Sequence, residues 1–451
     1  MKLKQIFWVL PVTFALCGPA HGETLKQAMA LAYTTSPLLQ AERAGLRATD
    51  EQLAQARSKR LPSARIDGNL GYTRVKQASP FFSNVSTFRP RSVSAVASQT
   101  LYGGGGISGG IEAAKASIAA GRANLVGVEQ SVLLDAATAY LDVLRDEDVV
   151  RIRQNNVNVL EQQHKAAQDR FDVGEITRTD VSQAVARVAG ARAQLEAARS
   201  ALANSRATYQ RVIGRPPATL EKATTPGGVP DDVMAARQIA EHEAPAIIAA
   251  RHAEEAARKQ ISVARAGLRP SVSVDVSGNS ADSTGLPGQR LRSAAATARI
   301  SVPLFTGGLS QSQVREAKHK DSQARLQLAQ TRRLVDEQVA QAWSVLVAAR
   351  AVIVSSREQV KANTLAFEGV EQEARVGLRT TLDVLDAEQE LLNAKLALVT
   401  AERDESVAAY GLLAAMGELT ARKLALKVVY YKPESYEKTG LKGLFSTGID
   451  E

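Results

Sequence analysis

One cysteine stands in 451 residues, and it is Cys17, inside an apolar amino-terminal stretch. Without a second thiol no disulfide forms, and without a thiolate cluster no structural zinc or iron–sulfur site is built. Aromatic residues are nearly as scarce, at 4%. Large globular cores rest on aromatic and branched side chains. An alanine-rich chain that lacks them reads as long helices packed side by side. Charge of one sign is also missing. Basic residues outnumber acidic ones by 56 to 47 and the two are interspersed, so no nucleic-acid patch exists. His164, His242, His252 and His319 are scattered without ligand spacing, and no phosphate loop occurs. No catalytic constellation, metal site or cofactor is expected.

The first 22 residues have the pattern of a secretory signal peptide. Lys2 and Lys4 precede the apolar run Ile6–Leu16, which is too short to span a bilayer as a helix, and Ala20-His21-Gly22 offers small residues around a cut. The mature chain is expected to start near Glu23, outside the cytoplasm. Phe14-Ala15-Leu16 makes a poor lipobox for Cys17.

What is present is a duplication. Val173, Gly174, Thr177, Asp180, Val181, Ala184, Ala191, Leu195, Ala198 and Gly214 recur as Val376, Gly377, Thr380, Asp383, Val384, Ala387, Ala394, Leu398, Ala401 and Gly417, at a constant offset of 203. Leu101-Tyr102-Gly103-Gly104-Gly105 recurs as Leu304-Phe305-Thr306-Gly307-Gly308. An offset this long means two copies of a whole structural unit. The expected organisation is a first repeat over 23–214, an equatorial linker over 215–232, a second repeat over 233–417 and a tail over 418–451.

Each copy reads in the same order. Helical composition over 24–60 stops at Pro62, and its counterpart stops at Pro270. The period then changes from 3.6 to 2. Val272, Val274 and Val276 alternate with Ser271, Ser273, Asp275 and Ser277, while Ile66, Leu70 and Tyr72 alternate with Asp67, Asn69 and Thr73. Returning segments place Val93, Ala95 and Ala97, or Ala296, Ala298, Ile300 and Val302, on one face. A hairpin of about ten residues per strand suits tilted membrane strands with a polar lumen. The connections Gln77–Arg91 and Asn279–Arg292 read as surface loops. Beyond each glycine elbow, Ile107–Asp172 and Leu309–Arg375 contain no proline, and each predicts a rod of ~100 Å at ~1.5 Å per residue. Gly174 and Gly377 end the rods. Thr179 and Thr381 are expected to cap shorter returning helices over about 180–213 and 382–416.

Two hairpins give four strands per chain. Four strands cannot close a barrel, and open sheet edges are not tolerated in hydrocarbon. Two chains would give eight strands with a filled interior, and three would give twelve with room for a passage. The fold class expected is therefore mostly α with a membrane β part: long antiparallel helices forming a trimeric α-barrel, joined to a 12-stranded β-barrel. A periplasmic coiled-coil adaptor or structural protein is the alternative of a different class. It leaves the two matched amphipathic hairpins without a purpose.

The paired hairpins, Pro62 and Pro270, and Val376-Gly377 followed by Thr380 and Asp383-Val384-Leu385-Asp386-Ala387 resemble the TolC family of outer-membrane channel proteins, over about residues 24–417. The resemblance implies a passive homotrimeric export duct in the outer-membrane lipid. Its partners would be a periplasmic adaptor (membrane fusion protein) and an inner-membrane ABC or other pump. By the same resemblance Thr179 and Asp180 are acceptors of a periplasmic gate, and Arg379 is the arginine that bonds to them. Asp383 and Asp386 form an acidic lumen ring, although first-turn acids also serve as caps. Val173, Gly174, Val376, Gly377 and Leu378 are adaptor-contact tips. Ala374 stands where the family's namesake has a tyrosine. Val428-Tyr430-Tyr431-Lys432-Pro433-Glu434-Ser435-Tyr436 resembles the tail of members serving type I protein secretion, with small-molecule efflux as the alternative.

Overall fold

The computed structural model describes residues 22–283 and 288–434. The signal peptide expected over 1–22 lies outside the described residues except for Gly22, as do part of the second hairpin's loop and the tail beyond Glu434. The chain divides into two compact units. Unit 1 takes residues 22–32, 136–225 and 360–403, and unit 2 takes 33–135, 226–359 and 404–434 within the described range.

The duplication is visible in the element bounds. Helix α3 (Gly106–Asp172) and helix α7 (Leu309–Arg375) each have 67 residues. Helix α4 (Arg178–Ile213) and helix α8 (Thr381–Met416) each have 36. All four bounds are related by 203 positions, as the repeated residues are. On the other side of the hairpins the offset is 208: α1 (Leu25–Thr35) and α2 (Pro37–Ser58) correspond to α5 (Val233–Glu243) and α6 (Pro245–Ala266). The first hairpin holds the difference.

The single helix expected over 24–60 is two helices. Proline is favoured at the first helical position, and the residue before it is pushed out of helical geometry. Pro37 starts α2, with the Ser36 hydroxyl accepting the Leu39 N–H at 3.4 Å. Pro245 likewise starts α6, where Ala244 before it offers no side-chain cap.

In unit 2 the strands β1 (Ser63–Leu70), β4 (Arg91–Gly103), β5 (Ser271–Asp282) and β6 (Arg290–Ser301) form one antiparallel sheet in the order β1-β4-β5-β6. The two copies therefore join through β4 and β5, and β1 and β6 are open edges. The register sorts the side chains. Ile66, Ala95, Gly278 and Ala294 form one cross-strand row, and Ala64, Ala97, Val276 and Ala296 form another on the same face. Asp67, Ser94, Asn279 and Ser293 lie on the opposite face. Most of Gln77–Arg91 is not loop. Strands β2 (Thr73–Ser79) and β3 (Phe82–Phe88) pair as a second, two-stranded sheet. Val75, Phe82, Val85 and Phe88 are strand formers among the serines, and they override the loop-like composition.

The elbow into α3 is close-packed. A Cβ on Gly104 would stand 2.9 Å from the Ala266 carbonyl, and one on Gly106 would stand 2.8 Å from the Ala266 Cβ. Leu53, Ile111 and Ile118 form a small core there. The buried residues of α7 include Ala317, Asp321, Val335, Val339, Leu346 and Ile353, at steps of four, seven or two sevens. That is the 3.5-residue period of side-by-side supercoiled helices. The tail packs in the same unit. Arg43 stacks between the rings of Tyr33 and Tyr431, at 4.7 and 5.1 Å. The Glu129 carboxylate accepts the Ala421 N–H at 2.7 Å.

In unit 1 the same period recurs on α4 through Ala184, Val188, Ala191, Leu195 and Ala198. Val157 and Leu160 of α3, Val188, Ala191 and Leu195 of α4, and Leu385 of α8 close an apolar core. Near the start of the linker, Arg215 pairs with Glu23 at 2.8 Å. The Tyr140 hydroxyl lies 2.6 Å from the Glu23 and Glu221 carbonyls.

Candidate functional site: the helical tips

The stretches of α3 and α7 that lie in unit 1 end in the same turn. Gly174 has φ +82° and Gly377 has φ +78°, a conformation in which only glycine is unstrained. Gly174 N–H donates to Phe171 O and Glu175 N–H to Arg170 O, both at 2.9 Å. Gly377 N–H donates to Ala374 O at 3.1 Å and Leu378 N–H to Glu373 O at 2.9 Å. These crossed bonds are the Schellman stop of a helix. They project Val173, Val376 and Leu378 into solvent, where each is more than 70% exposed. Apolar groups held outward on a rigid turn suit a partner surface.

The returning helices begin with matched capping boxes. The caps are Thr177 and Thr380, one or two residues before the expected Thr179 and Thr381. Asp180 accepts from Thr177 N–H at 2.9 Å and from its hydroxyl at 2.8 Å, while Asp180 N–H donates to Thr177 Oγ1 at 3.4 Å. Asp383 and Thr380 repeat the pattern at 2.9, 2.8 and 3.2 Å. The expectation erred because a threonine three residues before an acid makes a reciprocal box, which a threonine one or two residues before it cannot. Hydrogen bonds from the Thr380 backbone and hydroxyl hold the Asp383 carboxyl below the usual carboxylate range, and Arg379 adds to this.

The residues expected to form a gate are differently engaged. Arg379 donates through Nε to Glu373 at 2.8 Å, across the turn of its own tip. That contact, with the charges of Glu373 and Asp383, raises the guanidinium pKa above its ordinary value. Among the described residues no hydrogen bond joins Arg379 to Thr179 or Asp180, and Thr179 is exposed on the first turn of α4. The other tip has its own clip, Arg170 to Glu175 at 3.0 Å. Asp386 does not stand alone: Arg187 of α4 donates to it at 2.7 Å.

Beside that pair lies a polar cavity of about 170 Å³, whose lining includes Asn156, Leu160, Arg187, Gln194, Leu385 and Glu388. Glu388 is 6% exposed. Asn156 donates to one of its oxygens at 3.0 Å, and the other oxygen is buried without a hydrogen-bond partner. Burial pushes this carboxyl up to about 7, against the pull of Asn156 and Lys395. The sequence reading missed this acid. Its signal is spacing: Leu385, Glu388 and Leu392 occupy one apolar stripe of α8, so Glu388 breaks that stripe. Among the described residues no cluster of three or more histidine, cysteine or acidic side chains is arranged to hold a metal.

Comparison with known proteins gives a consistent picture. Residues 29–215 and 236–418 match the family described as Outer membrane efflux protein. The chain is 35% identical to the outer membrane efflux protein BepC of Brucella suis biovar 1 (strain 1330), over 93% of this chain and 91% of that one. It is 27% identical to the outer membrane protein TolC of Escherichia coli (strain K12), over 92% and 87% of the two chains. The crystal structure of the outer membrane protein VceC from Vibrio cholerae superposes with a TM-score of 0.74 at 22% identity. It covers 87% of this chain and 96% of that one, and at that identity it speaks for the fold alone.

Proposed function

Because the chain belongs to the outer membrane efflux protein family, a family of outer-membrane export ducts with a helical periplasmic portion, we propose that three copies assemble into one passive channel. One observation carries this reading. The four-stranded sheet has open edges at β1 and β6 and presents Ile66, Val276 and Ile300 to solvent. Four strands cannot seal a pore, and unpaired backbone in lipid costs several kcal/mol per group. Three copies supply twelve strands, each edge pairing with the next copy. Val345, Val347, Val352 and Val354 on α7 are also exposed and suit coverage by a neighbouring copy.

In this reading the tips dock onto a periplasmic adaptor through Val173, Gly174, Val376, Gly377 and Leu378. The entrance is latched by Arg379 exchanging Glu373 for Thr179 and Asp180 of an adjoining tip. Asp383 and Asp386 ring the lumen and attract cations. An inner-membrane pump supplies the energy, because the chain has no nucleotide-binding loop. The test is the assembled protein: detergent-resistant trimers in outer-membrane fractions and discrete conductance in planar bilayers. A soluble periplasmic monomer would overturn it.

For the cargo, the tyrosine-rich tail supports type I protein secretion. The 35%-identical outer membrane efflux protein of Brucella suis favours efflux of small molecules as a second reading. Deleting the gene separates the two. Loss of secreted proteins supports the first, and drug sensitivity with an unchanged secreted proteome supports the second.

A further inference from the structure

The outward face of the sheet changes character at one end. Along the rows that carry Ile66, Val276 and Ile300, the last two rows are Gly68, Val93, Ser280 and Arg292, then Leu70, Arg91, Asp282 and Arg290. Arg91, Arg290 and Arg292 are exposed, and among the described residues none has an ion-pair partner. Asp282 is the one carboxylate in these rows, and the Ser283 hydroxyl donates to it at 3.2 Å. The adjoining segment over 71–92 adds Arg74, Lys76 and Arg89 and contains no acid.

The position of this cluster is informative. A strand rises about 3.4 Å per residue and tilts by about 40° in a membrane barrel. The Asp282 row lies ten residues along β5 from the row of Tyr102, Val272 and Ile300. That separation amounts to roughly 26 Å of height, close to the ~25 Å apolar band of such barrels. The guanidiniums thus stand at the upper rim of the band with Tyr102 at the lower rim, where aromatic residues favour the interface. Cations facing hydrocarbon are costly, whereas at the headgroup level they meet phosphate. Arginine binds phosphate through two parallel N–H donors, and the bond strengthens as water is displaced.

We propose that Arg91, Arg290 and Arg292 form a binding site for the phosphates of an outer-leaflet glycolipid headgroup. The site rests on the outer-membrane reading above and deepens it by naming a lipid. Arg91 and Arg290 flank Asp282 across two strand spacings, about 10 Å apart at the backbone, so separate phosphates of one headgroup can be held on either side of Asp282. Because β6 is an open edge, Arg290 and Arg292 stand where the next copy would join, and a bound lipid would brace that seam.

The experiment uses the full chain, reconstituted in phosphatidylcholine vesicles doped with bisphosphorylated lipid A or with the same lipid after dephosphorylation. Bound lipid is counted by native mass spectrometry after re-extraction. The expected result is at least about tenfold preference for the phosphorylated form, equivalent to about 1.4 kcal/mol. The triple variant Arg91→Gln, Arg290→Gln, Arg292→Gln should lose that preference. The corresponding triple lysine variant should retain part of it, which separates charge from the bidentate fork. Equal retention by the unsubstituted and triple glutamine proteins would overturn the site. Competition by millimolar inorganic phosphate would also overturn it, by marking a site for free anion. Planar-bilayer conductance of the same preparations runs beside this. Intact conductance with lost preference assigns the effect to the lipid site, whereas absence of conductance in the unsubstituted protein removes the duct reading and the lipid site with it.

Discussion

Asn156 donates to Glu388 across 3.0 Å and 232 positions of sequence, tying α3 to α8 inside unit 1. The bond satisfies one carboxylate oxygen and leaves the other buried, so the fold prefers the protonated acid. Here the folded value, about 7, lies above the ordinary glutamate value of 4.5. The folded state then binds more protons than the unfolded one between those values. Stability is fully present below pH 4.5 and declines as pH rises toward about 7, by an order of ~3 kcal/mol per chain. We expect Glu388→Gln to keep the Asn156 contact and flatten this dependence, raising Tm at pH 8 more than at pH 5. Equal shifts at both pH values would show that Glu388 is not the titrating group.

The tip clip leads to a paired expectation. If the Arg379–Glu373 bond holds the arginine in reserve, Glu373→Gln frees it for Thr179 and Asp180 and lowers single-channel conductance. Arg379→Ser removes both bonds and raises it. Conductance moving the same way in both variants would contradict exchange of partners at this arginine.

Asp386 is ion-paired with Arg187, so in the proposed lumen ring Arg187→Gln should increase cation preference. Asp386→Ala should decrease it further than Asp383→Ala, because Asp383 is committed to its capping box. Reversal potentials in asymmetric salt give the order. A larger effect from Asp383 would reverse the assignment of the ring.

Two glycines with left-handed backbone separate strain from crowding. Gly308 has φ +83° and open space around it, so Gly308→Ala should cost roughly 1 kcal/mol. Gly417 has φ +86°, and a Cβ there would lie 2.3 Å from the Glu243 carbonyl oxygen. Gly417→Ala must displace backbone and should cost several kcal/mol, read as loss of folded protein at 37 °C. Similar thermal shifts for the two would deny the close approach of α5 to the end of α8.

Much of the local structure could be read directly. The rods of α3 and α7 fall within a residue of their expected bounds, because proline-free helical composition between glycines leaves the backbone no cheaper alternative. The alternation in Ser271–Gly278 was equally plain. The breaks at Ser36-Pro37 and Ala244-Pro245 are legible once each proline is taken to open a helix instead of ending one. The pairing of β2 with β3 was obscured by serine-rich composition, and cross-strand neighbours rescue such a segment only once the hairpin closes.

The sequence by itself determined where the long helices start and stop and that the unit repeats, because those choices rest on forces acting within a few residues: caps, glycine conformations, proline geometry and side-chain period. Only the tertiary structure decided that β4 meets β5, that Arg187 meets Asp386, and that Glu388 loses its water. Such contacts depend on which faces pack together across hundreds of residues, and the burial that shifts a carboxyl or pairs a charge belongs to the packed helices and not to any one of them.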